Sequence, residues 1–478
     1  MPVLDQLEPK SVFHFFEEIC AIPHGSRHNT EISRYLTEFA KNHSFRYVQD
    51  EAQNVIIYKP AAAGYEKTDP VILQGHMDMV CEKNPDCSKD MLREGLELAV
   101  SGDTVFAKDT TLGGDDGIGV AMILAILDAN NLAHPPIEAV FTTDEEVGMD
   151  GAMALDTACL HGRRMINLDS EDEGIFTVSC AGGATAKCII PVKHIPFSGT
   201  SVTIRLSGLT GGHSGQEIQK GRANADMLMG RILYALSQKT DFRLVYVSGG
   251  LKDNAIPVSC EAVLSAADPD IVASFCREIE KVLRKEYAAT DPQLLLDVSF
   301  GGAGETMDEE STQHVIAFLT CAPNGVLVMS HDIDGLVQTS LNLGILATEQ
   351  NEVNAVFCVR SSVESQKIML LQHLECLLHQ LGGKLQVLSS YPGWEYRRDS
   401  TLRDLMTDTF KAQYGYEPKI EAIHAGLECG IFYSRIPDLD CVSIGPDLKE
   451  IHTPRETMII SSVQRTWKLL TAVLGRMK

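Results

Sequence analysis

Apolar positions recur at helical spacing from Ser11 to Phe45, broken around Pro23, Gly25 and Asn29, which predicts two helices joined by a turn. Beyond them the period changes. Short apolar runs at Asn54–Tyr58, Val71–Leu73, Ala139–Thr142 and Met165–Leu168 have the length of strands. Between them, Gly117–Ala129 sets Ile118, Ala121, Met122, Ala125 and Ile126 on one stripe behind a glycine-rich entry, as an amphipathic helix does. Strands alternating with helices predict an α/β domain built on a mainly parallel sheet with helices on both faces.

From about Ala186 the pattern turns to alternating strand-like segments, Val202–Leu206 and Arg243–Val247, with a hairpin-like pair at Leu343–Thr348 and Val353–Arg360. Amphipathic helices flank them, one carrying Ile368, Leu371, Leu374 and Leu378 at spacings of three and four, so this stretch reads as an α+β module. Tyr391, Pro392 and Gly393 offer a turn out of it. Strands then resume at Ile420–Ile423 and Cys441–Ile444, before a last helix from about Ile459 to Met477. The expected organisation is one domain over residues 1–185 and 394–478, interrupted by an inserted module over 186–393.

The 478 residues leave ample length for buried cores, and 44% apolar with 22% charged residues is ordinary globular usage. Acidic residues outnumber basic ones, 65 to 41, giving a formal charge of −24 that argues against nucleic acid as a partner. The 13 cysteines are odd in number and form no CxxC pair, which suits free thiols and a cytoplasmic address. The residues up to Lys10 lack a basic start and an apolar run, so no export is expected. Val120–Leu127, the most apolar stretch, falls far short of a bilayer span, and no membrane partner is expected.

Candidate chemistry follows the strand ends. His76-Met77-Asp78 follows Val71–Leu73; residues two apart at a strand end point to one side, so His76 could bind a metal while Asp78 accepts from its other ring nitrogen. Gly113-Gly114-Asp115-Asp116-Gly117 opens a helix. A capping aspartate explains one carboxylate there, but not two wrapped by three glycines. Asp144-Glu145-Glu146 lies just beyond a strand's carboxyl end, where α/β sheets present ligand-binding groups. Adjacent glutamates there could divide metal anchoring from proton transfer. Asp169 ends the Met165–Leu168 run, and His452 follows the Cys441–Ile444 run and a loop. Singly each has an ordinary reading as a polar loop, a cap or a solvated face. Together, two histidines and three carboxylates supply an N/O donor set suited to zinc, cobalt or manganese.

The ordered segments Gly75-His76-Met77-Asp78, Gly114-Asp115-Asp116-Gly117, Thr143-Asp144-Glu145-Glu146-Val147-Gly148, Asn167-Leu168-Asp169 and Ile451-His452-Thr453-Pro454 resemble the dinuclear-zinc peptidases that include carnosinase, cytosolic tripeptidase and acetylornithine deacetylase. Gly211–Gly215, Asn254–Pro257 and Ala422–Gly430 extend the likeness over nearly the whole chain. The resemblance implies two divalent ions per chain, zinc with cobalt or manganese as alternatives. His76 and Asp169 would hold one, Glu146 and His452 the other, and Asp115 would bridge them. Asp78 would orient His76, Glu145 would be the general base, and the Asp115–Asp116 peptide would be cis. The inserted module becomes a lid and dimerisation domain whose His213, Asn254 and Arg360 contact substrate, the histidine often across a homodimer. The implied activity is hydrolysis of dipeptides, Xaa-His dipeptides such as β-alanyl-histidine among them. Tripeptides and N-acyl amino acids are alternative substrates, and a non-catalytic metal-binding scaffold is the alternative of another class. A scaffold would be free to lose Glu145.

Overall fold

The computed structural model describes residues 2–196, 199–301 and 305–478. They form two compact units: one of residues up to Ser179 with Tyr396–Ala422 and Leu427–Lys478, the other of Cys180–Glu395 with Ile423–Gly426. The chain thus changes unit after Ser179 and after Glu395, against the sequence expectation of 185 and 393, and Ile423–Gly426 returns to the second unit.

The first unit is built on an eight-stranded mixed sheet in the order Arg46–Gln49, Val55–Lys59, Ile137–Thr142, Val71–His76, Arg164–Asn167, Asp440–Ser443, Ile175–Cys180, Lys419–Ile423. The four strands from Ile137–Thr142 to Asp440–Ser443 run parallel, and Val55–Lys59 and Ile175–Cys180 pair antiparallel to them on either side. Register puts His76 opposite Thr142 and Gln74 opposite Asn167, so the carboxyl ends of neighbouring strands share one edge. Ile137–Thr142 and Val71–His76 are buried at every position, as strands covered on both faces must be.

Helix Gly114–Asp128 packs against helix Lys10–Cys20 and strand Val71–His76. The expected apolar stripe is overtaken here: Gly117 to Leu127 are buried without exception, so the helix is covered all round rather than on one side. Asp115 and Asp116 lie outside helical dihedrals, and the regular helix starts at Gly117. A smaller antiparallel sheet of Leu448–Lys449, Thr457–Ile459, Thr104–Ala107 and Leu98–Ser101 completes the site-bearing parts of this unit.

The second unit holds a nine-stranded antiparallel sheet, with the hairpin Val337–Thr348/Glu352–Ser361 near its middle and helices Ala225–Ser237, Pro269–Glu286, Glu309–Cys321 and Glu364–Gln380 packed on it. In the last helix the buried row is Leu370, Leu374 and Leu378; Ile368, expected inside, is 45% exposed. Lys367 takes the inner place because its ammonium donates to the Tyr391 carbonyl at 2.7 Å, satisfying the buried charge. All 13 cysteines are free, and no helix among the described residues is long and apolar enough to cross a membrane.

One carboxyl sits in this core without a cationic partner. Asp226, in the first turn of Ala225–Ser237, is fully buried, and among the described residues its carboxyl oxygens have no N–H or O–H partner, only the neighbouring Cys260 thiol. Burial pushes its pKa up to about 7, the neighbouring Cys260 thiol offsetting only part of the shift. A carboxyl raised on folding favours the protonated fold, so its contribution is present below the unfolded pKa and is lost as pH rises toward about 7. Asp226→Asn removes that dependence. The expected result is a thermal midpoint that gains on the wild type between pH 5 and pH 8, by an amount equivalent to roughly 1–3 kcal/mol, read from paired melts. A difference between the two proteins that does not change with pH would show that Asp226 does not titrate there.

Candidate metal centre

His76 closes its strand at 1% exposure. Its Nδ1 donates to the Asp78 backbone carbonyl at 3.0 Å, which fixes the tautomer and leaves the Nε2 lone pair free. The Asp78 carboxylate is 3.5 Å from that nitrogen, too far for a good bond. That carboxylate instead accepts from Ser26 Oγ at 2.8 Å and from the Glu145 amide at 3.1 Å. Asp78 therefore orients His76 chiefly through its main chain, and its side chain fixes the turn that carries Glu145.

Two glycines make room for the loop that opens helix Gly114–Asp128. A Cβ at Gly75 or at Gly119 would lie 2.2 Å from a carboxyl oxygen of Asp116, so the Asp116 side chain occupies the space that both leave free. The Asp115–Asp116 peptide is cis. Asp115 meanwhile presents its two oxygens to different histidines: Oδ1 lies 3.0 Å from His76 Nε2, and Oδ2 lies 3.1 Å from His452 Nε2. Asp169 Oδ1 is 3.4 Å from His76 Nε2, and Glu146 Oε1 is 2.9 Å from His452 Nε2. His452 was expected beyond the Cys441–Ile444 run; it rides the loop of the Leu448–Lys449/Thr457–Ile459 hairpin in the small sheet.

Each imidazole nitrogen thus faces two carboxylate oxygens. A lone pair aimed at anions needs a positive charge between them, whether a proton or a metal ion. Protons respond accordingly: the hydrogen bonds and charges of Asp115 and Glu146 raise the His452 pKa to about 10. Burial opposes a charged His76, but Asp169, Asp115 and Asp78 outweigh it and raise its pKa well above the usual value. Burial likewise opposes ionisation of Asp115, yet hydrogen bonds from His452 and His76 hold its carboxyl far below the usual range. For Asp169, burial with the charges of Asp115 and Glu146 wins over His76, raising the pKa to about 7. Ligand atoms of His76, Asp115 and Glu146 all lie within 4.8 Å of one another. One neutral nitrogen with carboxylate oxygens fits a divalent cation of the zinc, cobalt or manganese type.

Glu145 stands beside this set. Burial pushes its pKa well above the usual carboxyl value, His76 opposing and Asp169, Glu428 and Glu146 adding to the rise. No hydrogen bond reaches its carboxylate among the described residues.

Two buried glutamates beneath the site were not singled out from the sequence. Glu428 Oε2 accepts from Gln74 Nε2 and Thr142 Oγ1, both at 2.6 Å, and burial raises its pKa to about 8. A glutamine inside the apolar run Val71–His76 was the available signal, since a polar group there demands a buried partner. Glu456 accepts from three successive backbone amides, Leu112, Gly113 and Gly114.

In the second unit, His213, Arg360 and His424 gather around Gly215, whose added Cβ would lie 2.7 Å from the His424 carbonyl and 3.1 Å from both Arg360 Nε and His213 Cε1. His213 Nδ1 accepts from the Gly215 and Gln216 amides at 3.2 and 3.1 Å, so its Nε2 carries the hydrogen. Burial and then Arg360 lower its pKa, keeping it neutral. Asn254 holds this turn by its main chain, accepting from Ser214 N at 2.9 Å, while its side chain is exposed. Arg360 is 7% exposed; among the described residues its Nε has no partner and its Nη1 reaches the Tyr391 hydroxyl at 3.5 Å. His424, within the Ala422–Gly430 segment, bonds Ser340 Oγ through Nε2 at 2.7 Å.

The chain is 38% identical to the cytosol non-specific dipeptidase of Escherichia coli (strain K12) over 480 residues, 99% of each chain. Its fold matches the crystal structure of aminoacylhistidine dipeptidase from Vibrio alginolyticus with a TM-score of 0.94 and 36% identity, over 98% and 97% of the two chains. Aminopeptidase PepT from Bacillus cereus ATCC 10987 shares the fold at a TM-score of 0.57 and 15% identity, over 98% and 99%. Residues 72–476 match the model of peptidase family M20/M25/M40, and with this match and the full-length likeness above the chain belongs to that family.

Proposed function

We propose that the protein is a metal-dependent dipeptidase acting on Xaa-His dipeptides, and that it carries two divalent ions. The observation that carries the reading is Asp115, whose two oxygens face different histidines, each accompanied by a second carboxylate. His76, Asp169 and Asp115 would hold one ion; His452, Glu146 and Asp115 the other. Full-length likeness to a cytosol non-specific dipeptidase supports dipeptides as the substrate class.

Bound ions would supply Lewis acidity and lower the pKa of water, and their positive charge would favour the ionised carboxylate of Glu145 against the effect of burial. Glu145 takes a proton from the attacking water on its carboxylate and returns it to the departing amine. Asp78 holds the backbone of that glutamate in place. Arg360, with an unengaged buried Nε, is proposed to pair with the substrate's terminal carboxylate. His213, a neutral Nε2–H donor, is proposed to bond the scissile carbonyl, with Asn254 contacting substrate beside it. The assembly proposed is a homodimer, which sedimentation equilibrium checks.

Metal-reconstituted protein assayed on Xaa-His dipeptides, other dipeptides, tripeptides and N-acetyl amino acids tests the reading, with Xaa-His dipeptides expected to turn over fastest. Preference for tripeptides or N-acetyl substrates would overturn it. Arg360→Ala is expected to lower kcat/KM by about 10–100-fold for a free dipeptide, the worth of a charged hydrogen bond, and far less for the matching dipeptide amide. Equal losses on both substrates would remove Arg360 from carboxylate recognition.

A further inference from the structure

We propose that Glu456 is a positioning residue that clips the Asp115 loop to the His452 hairpin and so sets the spacing of the metal ligands, a role that rests on Asp115 and His452 being ligands. Its Oε2 accepts from the Leu112 and Gly113 amides at 2.8 and 3.2 Å, and its Oε1 from the Gly114 amide at 2.8 Å. The side chain is 2% exposed. Three successive amides converging on one buried carboxylate immobilise the residues directly before Asp115. A Cβ at Gly114 would lie 3.2 Å from Glu456 Oε1, so the loop also approaches the clip closely.

The other end of the clip is equally fixed. The Glu456 amide donates to the Thr453 carbonyl at 3.0 Å, closing the turn that follows His452. Thr453 Oγ1 donates to the Glu450 carbonyl at 2.8 Å, and Thr457–Ile459 pairs in register with Thr104–Ala107. The loop leading to Asp115 leaves that second strand, and the hairpin bearing His452 leaves the first. The small sheet therefore anchors both ligand segments at their roots. Glu456 joins them again near their tips, where Asp115 Oδ2 and His452 Nε2 meet at 3.1 Å.

A carboxylate can take all three amides, whereas a glutamine offers one oxygen and turns an N–H₂ toward the remaining donors. In Glu456→Gln, zinc affinity measured against a competing chelator is expected to fall about 10–100-fold, the usual cost of losing a partner behind a ligand. In the metal-free protein, hydrogen exchange at Leu112, Gly113 and Gly114 is expected to speed up while strand Val71–His76 keeps its protection. Should Glu456→Gln fail to fold, Glu456→Asp, which keeps the charge but retracts it by one methylene, replaces it with the same expected direction. Zinc affinity equal to wild type, or weaker affinity with the three amides still protected, would overturn the clip. His452→Ala is the control: if it too binds zinc as wild type does, the ligand reading fails instead of the clip.

Discussion

Glu145→Gln is expected to lower kcat by about 10²–10⁴-fold, the range for loss of a general base, with metal content and KM close to wild type. The substitution keeps the size of the side chain but replaces the proton-accepting carboxylate with a neutral amide that cannot take a proton at neutral pH. Its backbone anchor, the amide bonded to Asp78, is unaffected. Glu145 lies next to the proposed ligand Glu146 in sequence, yet it is Glu146, not Glu145, that approaches a histidine nitrogen, at 2.9 Å. Metal analysis of the purified variant beside steady-state kinetics checks the separation. Turnover like wild type would end the proton-transfer role, and loss of metal would move Glu145 among the ligands.

The second large effect concerns Asp115. Asp115→Ala is expected to reduce bound metal in both pockets at once and to bring turnover to the detection limit, because one carboxylate serves His76 and His452 alike. His452→Ala and Asp169→Ala each remove a donor from one pocket only. Metal-to-protein ratios after dialysis should therefore rank Asp115→Ala below either of them. Equal retention in all three would mean that Asp115 does not join the pockets.

Much of the site was legible because its chemistry is local to strand ends. His76, the Asp144–Glu146 run and Asp169 each follow an apolar stretch short enough to be a strand, and parallel neighbours end on the same edge. His452 was legible as a residue but not as a position, since its hairpin has strands of two and three residues, too short for a periodic signal. The buried face of helix Glu364–Gln380 was displaced by one residue at Lys367, because a hydrophobicity pattern cannot register a carbonyl waiting to accept from an ammonium. In helix Gly114–Asp128 the stripe of apolar residues predicts an amphipathic helix, but a second helix covers the other side.

Asp78 shows the finer limit. Spacing alone placed its carboxylate on His76, whereas the backbone carbonyl is the nearer acceptor and the carboxylate is spent on Ser26 and the Glu145 amide. Glu428 and Glu456 carry no signal in their own sequence neighbourhoods, for a related reason. Their work is to satisfy amides, hydroxyls and a glutamine from segments hundreds of residues away, and nothing in their own neighbourhoods records those partners.

By itself, the sequence determined the alternation of strands and helices and the kinds and order of the candidate donor groups, since periodicity and side-chain chemistry are properties of neighbouring residues. Only the tertiary structure decided which oxygen meets which nitrogen. Asp115 and His452 are 337 positions apart, and their 3.1 Å approach depends on the pairing of a small sheet and on which buried polar groups found partners. Distance between remote residues is fixed by packing the whole unit, and no local pattern carries it.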